Sequence, residues 1–309
     1  MNLDIDARPV TLVCVGHCAL DRVFGVPAWP AGSAKIAASR YEEAGGGMAA
    51  NAAVAAVRLG ASVRFWGPTG QDATGALVAA QLAADGVDVG ALRAFDGLTT
   101  STSAVLVDDR GERLVVGYRG TALQAPADWL PVSQLRDAGA LLADVRWPAG
   151  AAAALEAARA SRVPAILDGE VALHGILDDL VGRADHVVFS EKGLEAFSGK
   201  DADAGLREAI ARGATVAAVT LGERGVRWIE ARAPHTVQVL PAFAVDVVDT
   251  LAAGDVFHGA YAVAIAEGRS IAEAMRFASA AAALKCTLSG GRKGAPSRDA
   301  VEHFLARNA

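Results

Sequence analysis

The chain has 309 residues, of which 52% are hydrophobic and 21% are charged, and its net charge is −6. This length accommodates one large or two modest domains, and the apolar fraction together with a mean hydropathy of +0.29 excludes an intrinsically disordered chain. The acidic balance without a basic cluster argues against a nucleic-acid partner, and no uncharged apolar run reaches about 18 residues, which argues against a membrane helix.

Two further features bear on the cellular compartment. The N-terminus, Met1 to Asp6, is acidic and has neither a basic region nor an apolar core, which is unlike a signal peptide. Cys14, Cys18 and Cys286 are an odd number of cysteines in a long chain, which is typical of reduced core residues, and Cys14 and Cys18 lack partners at zinc-ligand spacing. We therefore expect a cytoplasmic protein without a zinc site.

The first predicted strand is a β-branched run that ends in glycine, Val10 to Gly16. In open α/β sheets, ligands bind beyond the carboxyl ends of the strands, and Asp21 follows this strand closely. Asp21 is therefore placed to accept hydrogen bonds from a polyol. An aspartate at such a position is also an ordinary turn residue, so the position alone does not decide.

A small sheet is predicted to stand off the main body, formed from about 18–40 and 98–120. Residues 23–40 show little helical pattern and contain proline and glycine, so we expect two short strands there, with Lys35 in the second. Strands predicted at 101–107 and 112–118 flank an Asp-Asp-Arg-Gly loop, which is a hairpin pattern. A lone lysine in a strand is ordinarily solvated, so Lys35 by itself does not indicate a ligand site.

A glycine run, Gly45 to Gly47, opens an alanine-rich helix that is predicted from Asn51 to Leu59. Glycines at such a position allow a ligand to approach the backbone closely. The G-x-G-x-x-G spacing of dinucleotide-binding proteins is absent, which argues against a dinucleotide-dependent oxidoreductase.

Strands and helices alternate from about residue 139 onward. Strands are predicted at 140–145, 163–168, 186–190 and 215–220, with helices at 149–159, 172–182, 191–198 and 203–212. This alternation favours a parallel sheet covered by helices on both faces, and no linker or internal repeat divides the chain. We therefore expect residues 1–309 to form a single α/β domain.

The most informative stretch runs from Asp249 to Asp255 and reads DTLAAGD. Ala252, Ala253 and Gly254 allow a tight turn with uncovered amides, and apolar residues then recur at helical spacing. The N-terminus of a helix suits a phosphate or a developing oxyanion because its first amides lack partners. Asp255 in the first turn fits a general base that deprotonates a hydroxyl. The ordinary alternative is a helix N-cap with an acidic first turn.

This stretch resembles the C-terminal motif of the ribokinase-like (PfkB) carbohydrate kinases, and Gly46-Gly47-x-x-x-Asn51 resembles the N-terminal motif of the same family. The resemblance implies a ribokinase-like three-layer α/β/α sandwich with a mainly parallel central sheet and a small β-sheet lid. It implies that Asp255 is the catalytic base and that the amides of residues 252–254 bind the transferred γ-phosphoryl group of ATP. Asn51 and the two glycines would hold the sugar.

The resemblance also implies where the nucleotide binds. Thr220, Gly222 and Gly225 match the family's nucleotide-side loop, and Gly254 would border the same phosphates. Read without the resemblance, residues 220–226 form an ordinary strand-to-hairpin turn. The long helix predicted from Arg269 to Lys285 would line the adenine pocket.

Two kinds of cation are implied as well. Asp249 matches a position beside a monovalent-cation loop, which the loop at 290–296 would complete, so K⁺ is a candidate. The family's Asn-x-x-Glu motif for Mg–ATP is replaced here by Ser190-Glu191-Lys192-Gly193. Ser190 is left as a candidate nucleotide contact and Glu191 as a candidate Mg²⁺ ligand. Mg²⁺ often keeps waters and phosphate ligands, so this departure need not abolish catalysis.

Ribokinases carry an acidic residue near the sugar at the position where this chain has Arg146. An arginine at a strand end suits an anionic substrate, and Lys35 in the lid would supply a second positive charge. These positions, with the stretches 189–191 and 241–259, resemble the sulfofructose kinase subgroup, which phosphorylates 6-deoxy-6-sulfofructose at its 1-hydroxyl. Gly117 departs from that pattern because it stands where the subgroup has an asparagine that binds the sulfonate.

The function predicted from the sequence is an ATP-dependent kinase for a primary hydroxyl of an anionic ketose, with 6-deoxy-6-sulfofructose as the first candidate. A neutral or carboxylated sugar, such as fructose, ribose or 2-keto-3-deoxygluconate, remains an alternative. So does a sugar sensor without turnover. The resemblance further implies a homodimer formed through the lid.

Overall fold

The computed structural model describes residues 9–28, 32, 35–110, 112–173 and 175–308, so Met1 to Asp6 lie outside the described residues. The strands, in chain order, are β1 Thr11–Val15, β2 Ala19–Gly25, β3 Arg40–Gly46, β4 Ser62–Gly70, β5 Asp88–Phe95, β6 Ser101–Val107, β7 Arg113–Tyr118, β8 Ala140–Asp144, β9 Ala165–Gly169, β10 His186–Ser190, β11 Val216–Thr220, β12 Val226–Glu230 and β13 Gln238–Leu240. The α-helices are α1 Met48–Arg58, α2 Ala73–Ala84, α3 Pro148–Ser161, α4 Ile176–Val181, α5 Glu191–Ser198, α6 Ala202–Ala211, α7 Ala253–Ala266, α8 Ile271–Cys286 and α9 Arg298–Arg307.

Nine of these strands form the central sheet, in the order β13-β12-β11-β10-β9-β8-β1-β4-β5. The strands from β11 to β5 pair in parallel, and β12 and β13 extend one edge in antiparallel pairing. Every residue of β8 and β9 is buried, as expected for parallel strands that are covered on both faces.

Helices cover both faces of this sheet. One apolar core contains residues from α1, α2, α7, α8 and α9, and a second core on the opposite face contains residues from α3, α4, α5 and α6. Because each core packs against alternate residues of the same central strands, the two cores are separated by the sheet itself. The predicted three-layer α/β/α sandwich is confirmed. No helix in the described part of the chain is both long and apolar enough to cross a membrane.

The remaining four strands form the lid sheet, in the order β3-β2-β6-β7. The prediction of two strands inside 23–40 was wrong in position, since β2 and β3 flank most of that segment and Lys35 lies in the exposed loop between them. Phe24 of β2 is paired with Tyr41 of β3, and their rings pack in a tilted arrangement with centroids 5.1 Å apart. Residues 29–31, 33, 34 and the hairpin residue Gly111 lie outside the described residues.

Two helix boundaries also differ from the sequence-based prediction. Helix α1 begins at Met48, three residues before Asn51, directly after Gly47 with its φ of +98°. Helix α4 covers only Ile176–Val181 instead of 172–182, because Gly175 in the left-handed region precedes it. His174 of that predicted helix is not among the described residues.

Among the described residues, two ion pairs tie the lid to the main body. Arg113 of β7 forms an ion pair of 2.6 Å with the buried Asp249, and Lys293 forms one of 2.9 Å with Glu42 of β3. Since β2 also follows directly from the carboxyl end of β1, the lid stands over the edge of the sheet where parallel strands present ligands.

Candidate active site

The buried carboxylate of Asp144, at the end of β8, joins three segments at the carboxyl edge of the sheet. Its Oδ2 accepts hydrogen bonds from the amides of His17 at 2.8 Å and Ala49 at 3.0 Å. Its Oδ1 accepts one from the amide of Arg146 at 2.8 Å. Asp144 therefore fixes the end of β1, the start of α1 and the residue after β8 in one arrangement. Sequence reasoning missed this role.

The predicted sugar-side residues come together beside it. The carboxylate of Asp21 accepts a hydrogen bond of 2.5 Å from Ser103 of the lid and lies against Gly46 so closely that a Cβ at position 46 would collide with it. Gly47 has a left-handed φ, and a Cβ at this position would collide with the carbonyl of His17, so it also has no room for a side chain. Asn51 then projects from the first turn of α1, and its side-chain amide reaches Oδ2 of Asp255 at 2.7 Å.

Two buried polar atoms in this region lack a hydrogen-bond partner among the described residues: Nε2 of His17 and Oδ1 of Asn51. Burial lowers the pKa of His17, so its imidazole is neutral at physiological pH. Buried polar atoms without partners are costly, and a hydroxyl-rich ligand would satisfy both. His17 was not predicted as a site residue, although its position directly after the glycine of β1 was the available signal.

Asp255 lies half-buried in the first turn of α7. The pKa of its carboxyl is raised from 3.8 to about 7, mainly by burial and also by the nearby carboxyl of Asp168, against the opposing effects of the hydrogen bond from Asn51 and of His258. A carboxylate with a pKa near the working pH is well matched to general-base catalysis. The geometry therefore agrees with the chemistry expected of Asp255.

His258 and Asp168 lie beneath this turn. The ring of His258 contacts the carbonyl of Gly254 through Nδ1 at 2.8 Å and the carbonyl of Val188 through Nε2 at 3.1 Å, and Oδ1 of Asp168 is 3.5 Å from Nε2. Burial raises the pKa of Asp168 well above its usual range. The first turn of α7 is thus held from below by a buried imidazole, which sequence reasoning also missed.

The turn that precedes α7 presents uncovered amides. Ala252 adopts a left-handed φ of +63°. The amide of Ala253 bonds to the carbonyl of Thr250 at 3.2 Å, but the amides of Ala252, Gly254 and Asp255 have no hydrogen-bond partner within the described residues. Gly254 is exposed and faces open space. The helix N-terminus therefore offers an anion site, with Asp255 contributing an amide in addition to its carboxylate.

A cavity of about 790 Å³ opens on the far side of this turn. The predicted nucleotide-side residues Thr220, Gly222, Gly225 and Gly254 all line it. Its remaining wall is mainly apolar and comes from the segment before the turn and from α8, with Phe243, Val245, Val247, Ala282, Ala283 and Cys286. An apolar slot that ends at uncovered amides suits a base and a phosphate chain.

Ser190 is not part of that cavity wall. It caps α5, since its Oγ accepts a hydrogen bond from the amide of Gly193 at 3.0 Å and donates one to Oε1 of Glu170 at 3.0 Å. Glu191 lies on the surface in an ion pair of 2.5 Å with Arg224. Among the described residues, no three carboxylate, histidine or cysteine side chains form a metal cluster. Glu170 is thus the acidic side chain next to Ser190, and Glu191 would have to leave its ion pair to contact Mg²⁺.

Asp249 lies at the start of the turn, 6% exposed, and is surrounded by donors. Its Oδ1 accepts from Arg113 and from the amide of Leu251 at 2.7 Å, and its Oδ2 accepts from the amide of Gly290 at 3.0 Å. Nζ of Lys285 is 3.6 Å from Oδ2. The hydrogen bond from Arg113 lowers the pKa of Asp249 to about 2 against the opposing effect of burial, so the carboxylate is ionised. Sequence reasoning placed Asp249 in this loop but gave Lys285 no role here.

Arg146 follows β8 and lies next to the sugar-side residues. Its Nε contacts Sδ of Met48 at 3.4 Å, and within the part of the chain that the structure describes no carboxylate forms an ion pair with it. Lys35, in contrast, is exposed in the loop between β2 and β3, and no hydrogen bond or ion pair joins its ammonium to a described residue of the site. The structure therefore brings together the predicted sugar-side residues with the exception of Lys35.

Comparisons with known proteins show which sequences this chain resembles. The sequence model of the pfkB family carbohydrate kinases matches residues 11–298. The ribokinase of Haemophilus influenzae is 28% identical over 304 residues, which are 96% of this chain and 98% of the relative, and fructokinase-1 of Zea mays is 29% identical over 96% of this chain and 98% of the relative.

Solved structures agree as well. A ribokinase candidate from Agrobacterium tumefaciens superposes with a TM-score of 0.91 at 38% identity, covering 97% of this chain and 98% of the other. The ribokinase of Arabidopsis thaliana, solved with ribose and ATP, superposes with a TM-score of 0.84 at 26% identity, covering 96% and 98%.

Proposed function

Because this chain belongs to the PfkB family of carbohydrate kinases, we propose that it transfers the γ-phosphoryl group of ATP to a primary hydroxyl of an anionic ketose, with 6-deoxy-6-sulfofructose as the first candidate. The product of that reaction is the 1-phosphate. The match to the family supports the kinase reaction, and the surroundings of Arg146 support the anionic substrate.

The sugar binds between the lid and the start of α1. Asp21 accepts hydrogen bonds from its hydroxyls, while the unpartnered atoms of His17 and Asn51 supply two more contacts. Gly46 and Gly47 allow the ring to approach the backbone. This arrangement brings a primary hydroxyl to Asp255, whose Oδ1 has no hydrogen-bond partner among the described residues.

Asp255 removes the proton from that hydroxyl as its oxygen attacks the γ-phosphorus. The uncovered amides of the α7 N-terminus stabilise the charge on the transferring group, because they are fixed in place before the reaction. The chain of ATP phosphates extends from this turn towards Thr220 and Gly222, and the base enters the apolar part of the cavity.

Mg²⁺ neutralises phosphate charge when it is bound with ATP. Glu170 is the carboxylate best placed beside Ser190 to contact it or its waters, since Glu191 is held by Arg224. Phosphate oxygens and waters would complete the coordination of the ion, as is usual for Mg²⁺.

One observation supports the anionic substrate most directly: the guanidinium of Arg146 lies beside the sugar-side residues without a carboxylate partner in the described chain. Asp144, its nearest acidic neighbour in sequence, is already satisfied by three backbone amides. An arginine with unused donors in a half-buried wall favours a sulfonate or phosphate, which accepts two hydrogen bonds at once.

A neutral sugar is the second candidate. The relatives that match over nearly the full chain are called ribokinases and fructokinases, and Gly117 supplies no side chain for a sulfonate. Ribose and fructose are therefore the comparison substrates.

We also propose that two chains associate through their lids. β7 is an edge strand, and all six of its residues are exposed, including Leu114, Val115 and Val116 at 50–63%. An exposed apolar edge strand ordinarily pairs with another strand, and a second copy of the same lid provides one.

A substrate panel tests the proposed function. ATP consumption is measured with 6-deoxy-6-sulfofructose, fructose 6-phosphate, fructose, ribose and 2-keto-3-deoxygluconate at equal concentrations. We expect the highest kcat/KM with an anionic ketose. A preference for ribose or fructose would reject the anionic substrate while leaving the kinase reaction intact, and no sugar-dependent ATP consumption with any member would favour a sensor.

A further inference from the structure

Lys285, in the last turn of α8, has a side chain that is completely buried. Its Nζ donates a hydrogen bond of 2.8 Å to the carbonyl of Asp249 and one of 3.0 Å to the carbonyl of Leu288, and Oδ2 of Asp249 is 3.6 Å away. Burial alone lowers the pKa of a lysine, and the carboxylate of Asp249 opposes that effect here. Three surrounding oxygens thus stabilise the charged ammonium where no water reaches it.

This ammonium connects two loops directly behind the anion site. One loop begins at Asp249 and leads within three residues to the uncovered amide of Ala252. The other contains Leu288 and Gly290, and the amide of Gly290 bonds to the carboxylate of Asp249. Since Lys285 binds the carbonyl of one loop and the carbonyl of the other, it fixes the shape of the turn that faces the phosphate.

The surroundings of Nζ have the chemistry of a monovalent-cation site. Backbone carbonyls with a carboxylate are the oxygen ligands that K⁺ takes when it loses its water. Here a single positive charge already lies among those oxygens and is attached covalently to the chain. A K⁺ ion at the same place would have to displace the ammonium and leave it unpaired in the interior, at high cost. The residues present therefore do not fit a bound K⁺ beside Asp249.

We infer that the ammonium of Lys285 takes the place of a monovalent cation behind the phosphate-binding turn, so that this kinase works without K⁺. Arg113 supplies a second cation to the other oxygen of Asp249 from the lid, which completes the charge balance of the carboxylate without any free ion. The inference builds on the proposed kinase reaction, but part of its test needs no substrate.

The first experiment measures turnover with the best sugar of the panel in tetramethylammonium chloride and in KCl at a constant ionic strength of about 0.15 M. We expect the wild-type rate to differ by less than about twofold between the two salts, because the charge behind the turn is permanent. A rate that rises several-fold with K⁺ would overturn the inference.

Two variants distinguish the effect of the charge of Lys285 from the effect of its side-chain volume. Lys285→Ala removes the charge and opens space for an ion, so we expect at least about a tenfold loss of kcat in tetramethylammonium chloride and recovery with K⁺ or ammonium. Lys285→Met removes the charge but fills the space, so K⁺ should not restore it. Lys200→Ala, which removes an exposed ion pair with Glu208, is the matched control and should behave like the wild type in both salts. Full activity of Lys285→Ala without K⁺ would contradict the inference.

A readout without substrate keeps this test independent of the sugar. The melting temperature of the wild type should be the same in both salts, whereas that of Lys285→Ala should rise with K⁺. Crystals soaked in Tl⁺ should show an anomalous peak beside Asp249 in Lys285→Ala and none there in the wild type. A Tl⁺ peak beside Asp249 in the wild type would overturn the inference even if no sugar of the panel is phosphorylated.

Discussion

The side-chain amide of Asn51 donates a hydrogen bond of 2.7 Å to Oδ2 of Asp255, across 204 positions of the chain. Asn51 belongs to the first turn of α1, where we propose that the sugar binds, and Asp255 belongs to the first turn of α7, where we propose that the phosphate binds. The bond therefore orients the carboxylate between the two substrates and leaves its Oδ1 available for a proton.

The variant Asp255→Asn tests the general base. Asparagine keeps the size of the side chain and still accepts the hydrogen bond from Asn51, but it cannot take a proton. We expect kcat to fall by about a thousandfold or more, while the dissociation constants of ATP and the sugar, measured by calorimetry, change little. Asp299→Asn on the exposed face of α9 is the control and should retain full activity. A kcat within tenfold of the wild type would exclude Asp255 as the base.

The raised pKa of Asp255 predicts the dependence of turnover on pH. The base acts only when it is deprotonated, so kcat/KM should rise with pH and level off above an apparent pKa near 7. The measurement is a pH–rate profile between about pH 5 and 9. A profile that is flat down to pH 5 would contradict the raised pKa.

The same shift predicts how the stability of the fold depends on pH. Between the unfolded pKa of 3.8 and the folded value of about 7, the folded state holds a proton that the unfolded state has lost, so the free energy of unfolding decreases as the pH rises through this window. The total loss is roughly 4 kcal/mol at most. Asp255→Asn should therefore raise the melting temperature at pH 8 but not at pH 4. An equal change at both pH values would show that the carboxyl is not the cause.

Arg146→Ala tests the anion site. A charged hydrogen bond contributes about 1.5–3 kcal/mol, so the KM for a sulfonated or phosphorylated ketose should rise roughly ten- to a hundredfold, while the KM for fructose changes little. Arg207→Ala, on the exposed side of α6, should change neither. Equal effects of Arg146→Ala on charged and neutral sugars would reject the anion site.

Gly117→Asn tests the same site by addition. Gly117 pairs with Ser103, which in turn pairs with Asp21, so a side chain at 117 projects from the face of the lid that carries Asp21. A Cβ there meets no atom within 4 Å. We expect the new amide to lower the KM for the sulfonated ketose several-fold. Gly117→Leu, which adds volume without a donor, should give no such gain, and the same gain from leucine would contradict the explanation.

Val116→Lys tests the proposed association of lids. Val116 is 63% exposed on the edge strand β7, and a lysine there would place like charges opposite each other in a paired edge. We expect the mass measured by light scattering to change from that of a dimer to that of a monomer. Val239→Lys, on the edge strand of the main sheet, should leave the mass unchanged. A wild type that is monomeric at micromolar concentration would reject the proposal.

The sequence was sufficient to predict those features that depend on a local pattern of residues. The alternation of strands and helices predicted the parallel sheet, and the spacing within two short motifs led to Asn51 and Asp255. Asp144, His258 and Lys285 were missed because their roles depend on contacts that no local pattern records: Asp144 binds an amide 127 positions away, and His258 meets a carbonyl 70 positions away. Of the lid strands, β6 and β7 were predicted correctly, whereas β2 and β3 were misplaced because the pairing of two strands decides where they end, and residue types alone indicate only that strands are near.

Ala252 occupies a left-handed conformation that costs a residue with a Cβ about 1–2 kcal/mol more than glycine. The methyl group of Ala252 restricts the backbone conformations available to the turn, and the neighbouring hydrogen bonds stabilise the observed one. Exchange between alanine and glycine at this single position would thus change the backbone strain of the turn, while every charge in the site remains the same.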